Sequence, residues 1–136
     1  NNAAIFDVFP KMIEESKKIA PKAKYILGNM INYRSQKKID YVTCLWNTIN
    51  QLSKEERIKF IKRSEENLKK GEKLIMTTRH RFSSLRIFLK QLIQGGAQAN
   101  YYYPPSQIKE WFKGTSFKYK IVKEDMNSLL IIATKN

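Results

Sequence analysis

A chain of 136 residues with 42% apolar side chains is long enough for one domain with a real core, and that composition excludes disorder as the default. Its single cysteine, Cys44, excludes an internal disulfide or a cysteine-cluster metal site, and no apolar run is long enough to cross a bilayer. Lys and Arg number 26 against 12 Asp and Glu, a formal charge of +14, which attracts phosphates, RNA or acidic substrates, or else makes a solvated lysine-rich surface.

The opening Asn1-Asn2-Ala3-Ala4-Ile5 has no basic segment leading into an apolar one, so the expectation is a cytoplasmic protein without a membrane anchor. Ala4 to Val8 is a short apolar run interrupted by Asp7, followed by Phe9-Pro10. That suits a buried strand ending where Pro10 opens a helix. Met12, Ile13, Ser16, Ile19 and Ala20 recur at helical spacing until Pro21. Tyr25-Ile26-Leu27 is a second short strand closed by Gly28-Asn29, and Ile39 to Trp46 is a third, nearly continuous in apolar and β-branched residues. Continuous apolarity is what a parallel strand covered on both faces requires.

Ser53-Lys54-Glu55-Glu56 has the form of a capping box, and the helix behind it carries Ile58, Ile61, Glu65 and Leu68 before Gly71 stops it. Lys73 to Thr78 is the next strand. Ser83 or Ser84 caps an apolar helix with Leu85, Phe88, Leu89, Leu92 and Ile93, which Gly95-Gly96 ends. Between Glu72 and Glu110 there is no acid, but there are Lys73, Arg79, Arg81, Arg86, Lys90 and Lys109. Tyr101 to Pro105 is not helical, because two prolines follow an aromatic run. A short helix with Ile108, Trp111 and Phe112 ends at Gly114. Phe117 to Lys123 and Leu129 to Thr134 close the chain as an antiparallel hairpin. The order β-α-β-β-α-β-α-α-β-β predicts a Rossmann-like α/β fold in one domain, residues 1–136. Its sheet is mostly parallel, with a C-terminal antiparallel hairpin.

Several of these segments together resemble the class I S-adenosylmethionine-dependent methyltransferases. Asp7-Val8-Phe9-Pro10-Lys11-Met12 is similar to the family's second-strand motif, an acid followed by Pro-x-Met. The resemblance implies that Asp7 accepts from both ribose hydroxyls of S-adenosylmethionine, chemistry that suits a carboxylate facing a vicinal diol. Gly28-Asn29-Met30 resembles the third-strand Gly-Asp-Met turn that cradles adenine, with Asn29 where Asp is usual. Asp40 to Asn47 resembles the fourth-strand motif, whose far end lies beneath the transferred methyl. Leu68-Lys69-Lys70-Gly71-Glu72 is similar to the Leu-Lys-Pro-Gly-Gly turn into strand five, and Phe117 to Lys135 to the closing hairpin.

The resemblance implies a cofactor site formed by Asp7, Val8, Asn29, Met30, Leu45 and Trp46. Asn47, Arg79, Arg81 and Tyr102 lie where such enzymes hold the methyl acceptor. His80, the only histidine, follows strand five at the edge where ligands bind in such sheets, and is either a general base or a solvated loop residue. Trp46 has ordinary core packing as its alternative, and Tyr102 packing under a loop. Cys44 is expected to be an inert core thiol. No metal site is expected.

The family's glycine-rich turn after its first strand has no counterpart before residue 4. In the family's sheet that strand is central, so without it the second and third strands are expected to part from the rest, with the segment supplied upstream or by another chain. The implied activity is methyl transfer to a small molecule, with residues 1–136 alone expected to be inactive. The alternatives are methylation of tRNA, rRNA or a capped end by way of the basic surface, and a catalytically silent methyltransferase-like binding module. A dinucleotide-dependent oxidoreductase is disfavoured by the reversed hairpin. A monomer or a homodimer, including a domain-swapped one, fits the sequence.

Overall fold

The computed structural model describes residues 4–46, 48–79, 105–123 and 128–136. In chain order these form β1 (Ala4–Asp7), α1 (Pro10–Ile19), β2 (Lys24–Leu27), a 3-10 turn (Met30–Asn32), β3 (Ile39–Cys44), a second 3-10 turn (Thr48–Gln51), α2 (Lys54–Asn67), β4 (Leu68–Arg79), α3 (Pro105–Trp111), β5 (Phe117–Lys123) and β6 (Ser128–Lys135). The helix expected over Leu85 to Ile93 lies outside the described residues, as do Asn47, His80, Arg81 and Tyr102. The chain forms two compact units, Asn1–Tyr33 and Arg34–Asn136.

In the first unit β1 and β2 pair in parallel, from Ala4 beside Lys24 to Asp7 beside Leu27. A parallel pair needs a crossover, and α1 supplies it. Pro10 opens that helix, its fixed φ suiting the first turn and its missing N–H costing nothing there. Lys17 and Lys18 sit in the last turn, at the negative end of the helix dipole. The Tyr25 hydroxyl lies 2.7 Å from the carbonyl oxygens of both Ser16 and Ala20, fastening the end of α1 to β2. Of the residues that recur at helical spacing along α1, only Ile13 is buried. Met12 is 51% exposed and Ile19 86%.

The second unit is a four-stranded sheet in the order β3-β4-β6-β5. β3 and β4 run parallel, and β6 is antiparallel to both of its neighbours, so it is the one reversed strand. The hairpin expected at the chain's end is present. Alternation along the strands separates two faces. Leu74, Met76, Thr78, Leu129, Ile131, Ala133 and Phe117 are buried on one of them, with Cys44 at the end of β3. Phe60 and Ile61 of α2, and Ile108, Trp111 and Phe112 in and after α3, complete that core. Phe112 stacks on Tyr119 with ring centroids 4.5 Å apart and meets Phe117 edge-on at 5.9 Å. Ile75, Thr77, Leu130 and Ile132 on the opposite face are half-buried. The described strands form two sheets, β1-β2 and β3-β4-β6-β5.

The capping box at the start of α2 forms as read. The Ser53 hydroxyl accepts from the Glu56 N–H at 3.2 Å, and the Glu56 carboxylate accepts from the Ser53 N–H at 2.8 Å. The end of α2 differs from expectation. Leu68 was read as its last apolar contact and Gly71 as its stop, yet the helix ends at Asn67 and Leu68 already belongs to β4. Side chains supply the reason. The Lys135 ammonium donates to the carbonyls of Glu65 at 2.6 Å and Leu68 at 2.9 Å, the Lys38 ammonium donates to that of Glu66, and the Asn67 side-chain oxygen accepts from the Ser35 N–H at 3.0 Å. Carbonyls at the end of a helix that would otherwise need another turn are thereby satisfied. Gly71 instead lies inside β4 at φ +83°, where the β3–β4 register jumps from Ile39 beside Leu68 to Tyr41 beside Lys73. It makes a bulge, a conformation that favours glycine.

Candidate functional site

Ligands of open α/β sheets bind beyond the carboxyl ends of the parallel strands. Each unit has one such set of strand ends.

In the first unit, β1 ends at Asp7 and β2 at Leu27, and their pairing continues past the strands as the Gly28 N–H donates to the Asp7 carbonyl at 2.9 Å. Asp7, Val8, Asn29 and Met30 are thereby gathered at one edge. The Asp7 carboxylate is half-buried, and its Oδ1 accepts from the Phe9 N–H at 2.8 Å. This local turn fixes the carboxylate as the chain enters α1. It also gives Asp7 a partner the sequence did not reveal, although a carboxylate's two oxygens offer about four acceptor positions, enough for a diol as well.

The resemblance sets the side-chain oxygen of Asn29 in a turn that cradles adenine. That oxygen accepts from the Ile31 N–H at 3.1 Å and caps the 3-10 turn. This bond fixes the turn's shape and leaves the amide oxygen's second lone pair for another donor, while Met30 begins the turn, where a backbone N–H has no partner within a helix. Val8 is 55% exposed, next to the Asp7 turn.

In the second unit, Cys44 beside Met76 is the last pair of the β3–β4 ladder. The chain turns away from β3 at Leu45 and Trp46, while β4 continues through Thr78 to Arg79. Thr48 braces the turn, its N–H and hydroxyl both donating to the Leu45 carbonyl, at 3.3 and 2.9 Å. Trp46 has φ 56° and is 92% exposed. The core packing weighed for it from the sequence is therefore corrected: the indole is outside the core, on a left-handed backbone that bulky residues seldom adopt. Leu45 is 43% exposed and Arg79 is exposed.

Two residues at this end went unread in the sequence, Asn50 and Thr78. Asn50 is 3% exposed, and its Oδ1 accepts from the Thr78 hydroxyl at 3.0 Å and from the Arg79 N–H at 3.3 Å. It ties the segment after β3 to the last residues of β4. An amide beside Ile49, which is fully buried, was the available signal, since a buried polar side chain needs partners.

Cys44 is buried, and its burial pushes the thiol up from an ordinary 9.0 to about 12, partly offset by a hydrogen bond with the Ile49 backbone. A thiol held in that form is a poor nucleophile, in keeping with the core role read for it.

No protein-family model matches this sequence, and no curated protein matches it. Solved structures do. A S-adenosylmethionine-dependent methyltransferase from Clostridium acetobutylicum superposes with a TM-score of 0.76 at 12% identity, over all of this chain and 76% of its own. Magnesium protoporphyrin IX methyltransferase (ChlM) from Synechocystis, solved with S-adenosylhomocysteine bound, gives 0.71 at 14%, over 99% of this chain and 64% of its own. The pyocyanin biosynthetic protein PhzM gives 0.73 at 14%, over 99% of this chain and 43% of its own. The chain therefore spans about half to three-quarters of the length of structures it resembles. At these identities the likeness is one of architecture, and the chain has the Rossmann-like α/β fold that S-adenosylmethionine-dependent methyltransferases share.

Proposed function

We propose that residues 1–136 belong to a S-adenosylmethionine-dependent methyltransferase domain whose acceptor is a small molecule. The observation that carries this reading is the Asp7 carboxylate, fixed at the end of β1 by the Phe9 N–H and placed by strand pairing beside the Gly28–Met30 turn. A carboxylate and an amide-rich turn on adjacent parallel strands suit a ribose diol and an adenine edge, and the fold is one that elsewhere takes this cofactor.

The residues present fit the group. Asp7 would accept from the ribose hydroxyls, and the Met30 N–H would donate to an adenine ring nitrogen. Val8 would lie against the nucleoside. Leu45 and Trp46 remain proposals from the sequence. Bound S-adenosylmethionine supplies an electrophilic methyl on a sulfonium that leaves uncharged. The chain's own residues then have to align the acceptor and keep water away, not shuttle protons through a dyad. Asn47, His80, Arg81 and Tyr102 remain proposals from the sequence, His80 as base and the other three on the acceptor.

Small-molecule transfer is favoured over RNA because several lysines are engaged within the fold. Lys69 pairs with Asp40 at 2.5 Å, Lys54 with Glu110 at 3.4 Å and Lys18 with Glu15 at 2.7 Å, while Lys135 and Lys38 donate to α2 carbonyls. Part of the positive excess thus has a structural use. A salt titration with RNA separates the two, because phosphate contacts give a steep fall in affinity with salt and the proposal expects a slope near zero. The cofactor is tested by titrating S-adenosylhomocysteine into the natural polypeptide that contains residues 1–136. Absence of binding heat at millimolar ligand, with the fold intact, would favour the silent module.

A further inference from the structure

We infer that Trp46 and Arg79 together form a recognition pair for a planar, anionic acceptor, one that carries an aromatic ring and a carboxylate. This rests on reading the strand ends of the second unit as the acceptor side of a methyltransferase. Three observations converge on the pair. Trp46 is a non-glycine residue at φ 56° with its indole 92% exposed. A large aromatic that is neither buried nor on relaxed backbone contributes little to the fold at that position. Strain of this kind gathers where a side chain is held out for a ligand.

The second observation is register. Cys44 beside Met76 is the last pair of the β3–β4 ladder, so Trp46 follows the end of β3 by two residues and Arg79 closes the adjacent β4. The indole's residue and the guanidinium's residue therefore stand at neighbouring strand ends, both in the second unit. Arg79 is exposed and makes no ion pair among the described residues.

The third is that the scaffold below both residues is fixed. Thr48 holds the Leu45 carbonyl with two hydrogen bonds, and buried Asn50 holds the Thr78 hydroxyl and the Arg79 N–H. Two exposed side chains thus project from a braced frame, an arrangement suited to binding. An indole offers a flat face to an aromatic ring, and a guanidinium offers paired donors to a carboxylate. The formal charge of +14 favours the same sign of ligand at longer range.

The test uses three probes: 3-hydroxy-2-naphthoate, planar and anionic; 2-naphthol, planar and neutral; and cyclohexanecarboxylate, anionic and saturated. The chain has two tryptophans, and Trp111 is buried, so two indole N–H signals in a nitrogen–proton correlation spectrum report separately. Trp46→Phe assigns them. The naphthoate is expected to move the Trp46 signal and leave that of Trp111, and to bind at least about tenfold more tightly than either control. Arg79→Gln should abolish the preference for naphthoate over naphthol. Trp46→Ala should abolish the preference for naphthoate over the saturated ring, read from the ligand's own signals. Equal affinity for all three probes overturns the inference, as does a preference that both variants retain. Loss of S-adenosylhomocysteine binding by the natural polypeptide would instead overturn the cofactor reading, while a probe preference that persisted would still support an aromatic-anion site here.

Discussion

Replacing Trp46 by glycine separates a residue kept for the fold from one kept for a ligand. In regular structure glycine is less stable than alanine by about 0.5–1 kcal/mol because the unfolded chain gains freedom. At φ 56° the balance changes, since a side chain on left-handed backbone costs roughly 1–2 kcal/mol that glycine does not incur. With the indole 92% exposed, its removal forfeits only about 0.5 kcal/mol of burial. Trp46→Gly is therefore expected to change stability by between about −0.5 and +1 kcal/mol, and to be at least as stable as Trp46→Ala, which keeps the strain. Urea unfolding followed by circular dichroism measures this without relying on tryptophan emission. With a slope of about 1–3 kcal/mol per molar urea, the midpoint should lie between a fall of about 0.5 M and a rise of about 1 M. A loss of more than about 1.5 kcal/mol, on the scale of a core truncation, would refute the reasoning and make Trp46 a packing residue.

Three further outcomes follow from particular contacts. Ser53→Ala removes the capping box of α2 and should cost about 1 kcal/mol, with the urea slope unchanged. Lys135→Met removes both donations to the Glu65 and Leu68 carbonyls. It should cost about 1–2 kcal/mol, with faster amide exchange in the last turn of α2 as its local sign. Cys44 governs a pH effect whose direction is fixed: its folded thiol is raised to about 12 from 9.0, so its contribution is complete below pH 9 and is lost as pH rises toward 12. Between pH 9 and 10.5 the wild type should lose about 2 kcal/mol more than Cys44→Ala, at roughly 1.4 kcal/mol per pH unit. A parallel decline in the two proteins would show that the thiol titrates normally.

Much of the architecture was legible where one local signal acted alone. The Ser53–Glu56 spacing and the short connection between the last two strands each produced the element expected of them, while the apolar run from Ile39 gave its parallel strand at the edge of the described sheet, with Asp40, Tyr41 and Thr43 exposed and not covered on both faces. What was not legible depended on partners distant in sequence. Periodicity alone extended α2 to Leu68, because nothing local announces that Lys135 and Lys38 will satisfy its final carbonyls. Gly71 has the composition of a helix stop and the same φ requirement as a bulge, and only strand register distinguishes them. At the candidate site, Asp7 was readable as an acid closing a strand, whereas its bond to the Phe9 N–H and the capping role of Asn29 were not. Trp46 was the least readable, since an aromatic following a buried strand resembles core until its backbone angle is known.

The proposed function turns on whether Asp7 holds a ribose. Calorimetric titration of S-adenosylhomocysteine into the natural polypeptide containing residues 1–136, alongside its Asp7→Ala and Asp7→Asn variants, tests this most directly. Losing a charge-assisted pair of hydrogen bonds should cost about 2–3 kcal/mol, a 30- to 150-fold rise in Kd for the alanine variant. The asparagine variant should fall between, because its amide keeps one acceptor oxygen for the Phe9 N–H or the diol. Equal affinity in all three proteins, or no binding in any while each remains folded, would contradict the claim.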